Sequence, residues 1–96
     1  MTDIKAENIN ESSKWTVYIV RCADKSLYTG ITTNIERRID EHNDNSTTSK
    51  AAKYTRARQP VTLVHAEQAS NRAEASRREY QIKKMTREEK LTLCKN

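Results

Sequence analysis

The chain has 96 residues, of which 34% are hydrophobic; this length holds one small domain with a thin core and excludes a two-domain enzyme. Eighteen Lys and Arg against thirteen Asp and Glu leave a net charge of +5, which favours an acidic partner, nucleic acid first. No apolar run approaches the roughly 18 residues of a membrane span, and the first residues lack the apolar middle of a signal peptide, so a soluble, unexported, cytoplasmic protein without a membrane partner is expected.

Residues 1–13 are polar and mixed in charge, and are expected to be a flexible tail ahead of a domain over 14–96. From Trp15 to Cys22 the run WTVYIVRC is β-branched and aromatic and too short for a helix, which predicts a buried strand. A polar turn at 23–26 leads to a second strand, Leu27 to Ile31, and so short a connection makes an antiparallel hairpin. The chain's one glycine, Gly30, is expected where a positive φ or a close backbone approach is needed. Cys22 and Cys94 are far apart with no second pair; they make neither a disulfide framework nor a Cys-only zinc site, and read as reduced packing residues.

Thr33-x-x-Glu36 has the form of a capping box opening a helix from about Asn34 to His42, with Ile35, Ile39 and His42 on its inward face. Residues 43–52 form a polar loop. After Pro60, VTLVHAE predicts a third strand with Val61, Leu63 and His65 on one face and Thr62, Val64 and Ala66 on the other. Asn71-x-x-Glu74 opens a helix to about Met85, and Thr86-x-x-Glu89 opens a short last helix that docks through Leu91 and Cys94. The fold class is a layered α/β (α+β) domain: a small, mainly antiparallel sheet with flanking helices, in the order β-β-α-β-α-α.

Four features carry chemistry. Between Asn45 and Ala66 there is no acidic residue, while Lys50, Lys53, Arg56 and Arg58 cluster around Tyr54; cations for phosphates beside a ring that stacks on a base make a nucleic-acid footprint, and the plain alternative is a solvated basic loop. Glu79 interrupts the Ala75 and Ile82 stripe of its helix, where a carboxylate needs a cation, either a metal or an ion-pair partner such as Arg78 or Lys83. Arg38 and His42 stand four apart on one helix face, suited to a phosphate and to proton movement, or simply to surface and helix-end roles. Tyr18 and Tyr28 lie on the two hairpin strands and can share a face, where a strand tyrosine ordinarily packs with a wet hydroxyl.

As a set these residues resemble the GIY-YIG nuclease superfamily. Thr16-Val17-Tyr18 stands where that family has Gly-Ile-Tyr, and Tyr28-Thr29-Gly30 where it has Tyr-Ile-Gly. Arg38 matches the family's helix arginine, His42 the His or Tyr one turn later, and Glu79 its metal-binding glutamate; CADKSLYTGITTNIERRIDEHN and AKYTRARQPVTLVHAE look like the small stand-alone bacterial branch. The resemblance covers about residues 14 to 93 and implies a three-stranded antiparallel sheet flanked by helices. It also implies phosphodiester hydrolysis with one divalent metal, usually magnesium (Mg2+), held by Glu79. Arg38 would stabilise the transition state, and Tyr18 or Tyr28 would accept the water's proton directly or through His42. Lys53, Arg56 and Arg58 would hold the substrate backbone with Tyr54 stacking on a base, DNA being the first candidate ahead of RNA. Ile31 replaces a lysine that some members carry, and the DNA-recognition domain of larger relatives has no counterpart in this sequence. Little sequence preference is therefore expected, with any address supplied by a protein partner. The rival classes are a binding module that keeps the fold without chemistry and a protein-interaction domain acting through its tail. Glu79 separates them from the enzyme, because a carboxylate beside a phosphate weakens a pure binder.

Overall fold

A computed structural model describes residues 14–43 and 58–95. The expected tail at 1–13, most of the polar loop, the basic residues Lys50, Lys53 and Arg56 with Tyr54 among them, and Asn96 lie outside the described residues. The elements are β1 (Trp15–Arg21), β2 (Leu27–Thr32), α1 (Ile35–His42), β3 (Thr62–Ala69), α2 (Arg72–Lys83) and α3 (Arg87–Cys94). They follow the expected order, and the sheet is antiparallel throughout with β1 at its centre, β2-β1-β3.

The hairpin turn is built by Asp24, whose carboxylate accepts from the Ser26 amide at 3.0 Å and the Ser26 hydroxyl at 2.6 Å. Lys25 takes the left-handed conformation, φ 72°, a place where glycine is the usual residue. Because successive strand residues alternate, β1 divides the core in two. Val17 and Ile19 are fully buried against Ala75 and Ile82 of α2, with Leu93 and Cys94 of α3 packed alongside. Tyr18, Val20 and Cys22 face the other way with Val61, against Ile35 and Ile39 of α1. Tyr18 and Tyr28 therefore share the α1 side of the sheet.

Several local expectations are corrected. Helix α1 is capped by Asn34, whose side chain accepts from the Arg37 amide at 3.0 Å, and not by Thr33; Thr32 is buried instead and its hydroxyl accepts from the Asn34 amide at 3.1 Å, which shapes the approach to the helix. Asn71 caps α2 as expected, but Glu74 reaches back to the Ser70 amide at 3.3 Å rather than to the cap itself. The Thr86 and Glu89 box is complete. Helix α2 ends at Lys83, two residues before the expected Met85. On α3 it is Leu93, with Cys94, that packs on the core, while Leu91 is exposed.

The expected single face of Val61, Leu63 and His65 is broken by a bulge in β3. Ile19 pairs with His65 but its neighbour Val20 pairs with Leu63, leaving Val64 as the extra residue and turning every later side chain over. His65 consequently lies on the α2 side with Glu67. There Glu67 accepts from Arg78 of α2 in a two-pronged bond, 2.8 Å from Nε and 2.9 Å from Nη2, and its carboxylate also meets His65 Nε2 at 2.7 Å.

Candidate active site

Tyr18 is the centre of the site. It pairs with Gly30 across the hairpin, and its ring lies over that residue. A Cβ placed on Gly30 would stand 2.6 Å from the Tyr18 hydroxyl oxygen and 2.8 Å from Cζ, far inside van der Waals contact. No glycine has a positive φ, so of the two reasons expected for Gly30 only close approach applies, and what approaches is the Tyr18 ring. The hydroxyl thus reaches toward β2, an edge strand, where side chains from both helical layers can meet.

Helix α1 supplies the next two groups. His42, fully buried at its last turn, holds the Tyr18 hydroxyl at 2.9 Å through Nε2. Tyr28 packs its ring edge-on to the same imidazole, with centroids 5.3 Å apart at 66°, and Tyr18 does likewise at 5.8 Å and 66°. Arg38, one turn earlier, stands beside Tyr18, and its Nε is buried with no acceptor in line. That nitrogen lies 3.0 Å from the Glu41 carboxylate, close enough for attraction but poorly aligned. A buried, unsatisfied guanidinium nitrogen next to a hydroxyl fits an anionic oxygen of a substrate.

Glu79 comes from α2, on the far side of the sheet. Its charge adds, as the smallest of several causes, to the rise of the Tyr18 phenol, and α2 packs on both β1 and β2. Its present partner is Lys83 Nζ at 3.2 Å, one of the ion pairs weighed from sequence, and about a quarter of its side chain is exposed (23%). Among the described residues no three His, Cys, Asp or Glu side chains gather into a metal cage. One accessible carboxylate is a donor of the kind magnesium takes, since that ion keeps most of its waters and is completed by substrate phosphate.

The electrostatics of Tyr18 follow from this geometry. Burial pushes its phenol up to about 12, and the nearby charges of Tyr28 and Glu79 add to that rise; the hydrogen bond and positive charge of Arg38 pull the other way. Arg58, at the end of the basic stretch, pairs through Nε with Asp24 of the hairpin turn at 3.2 Å. Of the residues singled out from sequence, Tyr18, Tyr28, Arg38 and His42 are thus brought together, Glu79 stands on α2 paired with Lys83, and Arg58 stands by the β1–β2 turn. Two residues that carry the site escaped sequence reasoning. The Asn43 side chain pairs with the Val61 backbone, and Gln59 donates to the His42 carbonyl at 2.8 Å. Neither amide belongs to a periodic pattern or a charge cluster.

A family model described as the GIY-YIG catalytic domain matches residues 14–92. The chain belongs to the GIY-YIG family. Such a domain implies nuclease activity in general, and with it nucleic-acid binding. The chain is 58% identical over 81 residues to the UPF0213 protein DP2720 of Desulfotalea psychrophila, covering 84% of this chain and 71% of that one. It is 53% identical over 81 residues to the UPF0213 protein SH2523 of Staphylococcus haemolyticus, covering 84% and 94%. Among solved structures it is similar to the solution NMR structure of the UPF0213 protein BH0048 from Bacillus halodurans, with 39% identity, a TM-score of 0.52 and coverage of 83% and 81%. These relatives place the chain in the UPF0213 group, a small GIY-YIG family, and it shares its fold with the solved structure of one member. No helix among the described residues is long and apolar enough to cross a membrane.

Proposed function

We propose that this chain is a magnesium-dependent endonuclease that hydrolyses phosphodiester bonds with little sequence preference, acting on DNA in nucleic-acid processing or repair. The observation that carries the reading is the buried hydrogen bond between Tyr18 and His42, 2.9 Å long, set beside an arginine with an unsatisfied nitrogen. In a domain that only bound nucleic acid this pair would do no more than satisfy a buried hydroxyl.

The chemistry follows from the charges. The attacking water gives its proton to the Tyr18 oxygen while Tyr18 passes its own to His42 Nε2, a step that requires substrate binding to open a path to a hydroxyl fully buried in the free protein. A relay of this kind suits a phenol pushed up to about 12: about one molecule in 10⁵ holds a phenolate at neutral pH, so a base that had to ionise first would be scarce. The relay requires the His42 tautomer with its own proton on Nδ1. Between the two tyrosines left open by the sequence, this favours Tyr18, with Tyr28 fixing the imidazole plane. Arg38 offers its guanidinium to the extra negative charge of the pentavalent phosphorus, where a preorganised cation acts most strongly. Glu79 is the residue that would hold magnesium, which when bound supplies a Lewis acid to a phosphate oxygen and the departing 3′ oxygen. Lys53, Arg56 and Arg58 neutralise flanking phosphates and Tyr54 stacks on a base. A partner protein supplies any address.

The test is nicking of a supercoiled plasmid with and without magnesium by the wild type and Glu79→Ala. Nicking that needs magnesium and disappears in Glu79→Ala supports the reading. Salt-sensitive binding to the plasmid with no cleavage at any enzyme concentration contradicts it and favours a non-catalytic binding module.

A further inference from the structure

His42 occupies the last position of α1, where helix carbonyls lose their partners and the backbone tends to fray. A residue that must hold one tyrosine at hydrogen-bond distance and a second edge-on is badly placed there unless something fixes it. Two side chains do. The His42 carbonyl accepts from Gln59 Nε2 at 2.8 Å, replacing the missing helical donor. Asn43, the next residue, accepts from the Val61 amide at 2.9 Å and donates to the Val61 carbonyl at 3.3 Å, imitating one rung of a sheet ladder. Val61 is itself buried in the cluster that holds Tyr18 and Val20. The end of α1 is thereby fastened, across 17 and 18 residues of chain, to the same core that positions the Tyr18 ring.

We propose that Gln59 and Asn43 are positioning residues that set the Tyr18 to His42 distance, and through it the rate of proton transfer in the cleavage reaction. The inference rests on the nuclease reading above for its effect on rate, but its geometric content does not. Neither amide faces the substrate: Gln59 is spent on the His42 backbone and Asn43 on the Val61 backbone. Loosening them changes how well the phenol and imidazole meet while Arg38 and Arg58 keep their own ion pairs with Glu41 and Asp24. The signature is therefore a fall in kcat with KM and nucleic-acid affinity held.

The experiment uses the full chain, plasmid substrate and magnesium, with Gln59→Leu, which keeps the size and removes the donor, and Asn43→Asp, which keeps the acceptor for the Val61 amide and removes the donor. Gln59→Leu is expected to lower kcat about ten- to a hundredfold with KM within about twofold, the scale of a small misplacement at a reacting pair. Asn43→Asp, retaining the shorter bond, is expected to lose less than Asn43→Ala. A second readout needs no cleavage at all. In ¹⁵N-labelled protein the Nε2 resonance of His42 reports its bond to Tyr18, and it is expected to move in Gln59→Leu in the same direction as in Tyr18→Phe. A folded Gln59→Leu with unchanged kcat and an unmoved His42 resonance overturns the proposal. So does a folded Asn43→Ala, if Gln59→Leu does not fold, when it leaves both readouts at wild type. If the wild type itself does not cleave, the nuclease reading falls, and the imidazole resonances still decide whether the two amides position His42.

Discussion

Tyr18 and Gly30 face each other across the hairpin so closely that a methyl group on residue 30 would stand 2.6 Å from the phenol oxygen. The ring cannot swing away, because Tyr18 is fully buried. Gly30→Ala is therefore expected to displace the hydroxyl from His42 and to destabilise the fold by about 1 to 3 kcal/mol through overpacking. Chemical denaturation measures the second effect, and loss of cleavage in the fraction that stays folded measures the first. Wild-type stability and activity in Gly30→Ala would show that the close approach is unimportant.

The second expectation concerns alkaline titration. Burial first, then the charges of Tyr28 and Glu79, push the Tyr18 phenol up to about 12, above the ordinary tyrosine value of about 10. A group whose folded pKa is raised stabilises the fold fully below its unfolded pKa, and that stability drains away as pH climbs through the folded value. Of the four tyrosines in the chain, one should thus ionise late in a tyrosinate absorbance titration, and Tyr18→Phe should remove that step. The associated loss of stability between the two pKa values is about 2 to 3 kcal/mol. Four tyrosines titrating together near their ordinary value would place the Tyr18 hydroxyl in water.

On the opposite layer, Arg78 holds the Glu67 carboxyl below its ordinary range, chiefly by hydrogen bonding, with His65 adding to the effect. A depressed carboxylate stabilises the fold above its unfolded pKa and loses that contribution as pH falls through the folded one. Arg78→Ala is expected to cost about 1 to 2 kcal/mol at neutral pH, since both groups are partly exposed and screened. The difference from wild type should shrink below about pH 4, where Glu67 protonates in the unfolded chain. The cluster lies on the face of the sheet opposite the Tyr18 side chain; a stability difference that persists unchanged into acid would mean the pair contributes nothing through its charge.

How much of this was legible in the sequence depends on what kind of signal each residue leaves. The element order could be read because β-branched runs, capping residues and helical spacing are local. Tyr18, Tyr28, Arg38, His42 and Glu79 could be gathered because their order resembles a known pattern, and Ile35, Ile39 and His42 because their spacing puts them on one face. The bulge at Val64 left no mark: VTLVHAE alternates well enough to look regular, and only pairing with β1 reveals that Val20 meets Leu63 while Ile19 meets His65. The work of Asn43 and Gln59 was invisible for a related reason. An amide that pairs with a backbone group 17 or 18 residues away shows neither charge nor periodicity. The choice between Tyr18 and Tyr28 likewise turned on burial and on one hydrogen bond, which no spacing encodes.

Substrate binding should report the basic stretch directly. With Lys53, Arg56 and Arg58 each neutralising one phosphate, the logarithm of affinity for duplex DNA falls against that of salt with a slope of about −2.7. Arg58 must leave Asp24, its partner at 3.2 Å, and Arg58→Ala is expected to bring the slope to about −1.8, two contacts in place of three. Affinity that ignores salt would remove these residues from the account.

The central claim is that Tyr18, bonded to His42, takes the proton of the attacking water. Its most direct test is the single-turnover rate of DNA cleavage in magnesium by Tyr18→Phe, measured beside Tyr28→Phe and the wild type. Removal of the Tyr18 hydroxyl is expected to slow cleavage about 10²- to 10⁴-fold, the usual contribution of a positioned proton acceptor, with a much smaller loss for Tyr28→Phe. A Tyr18→Phe protein that folds and cleaves within a few fold of wild type would contradict the claim.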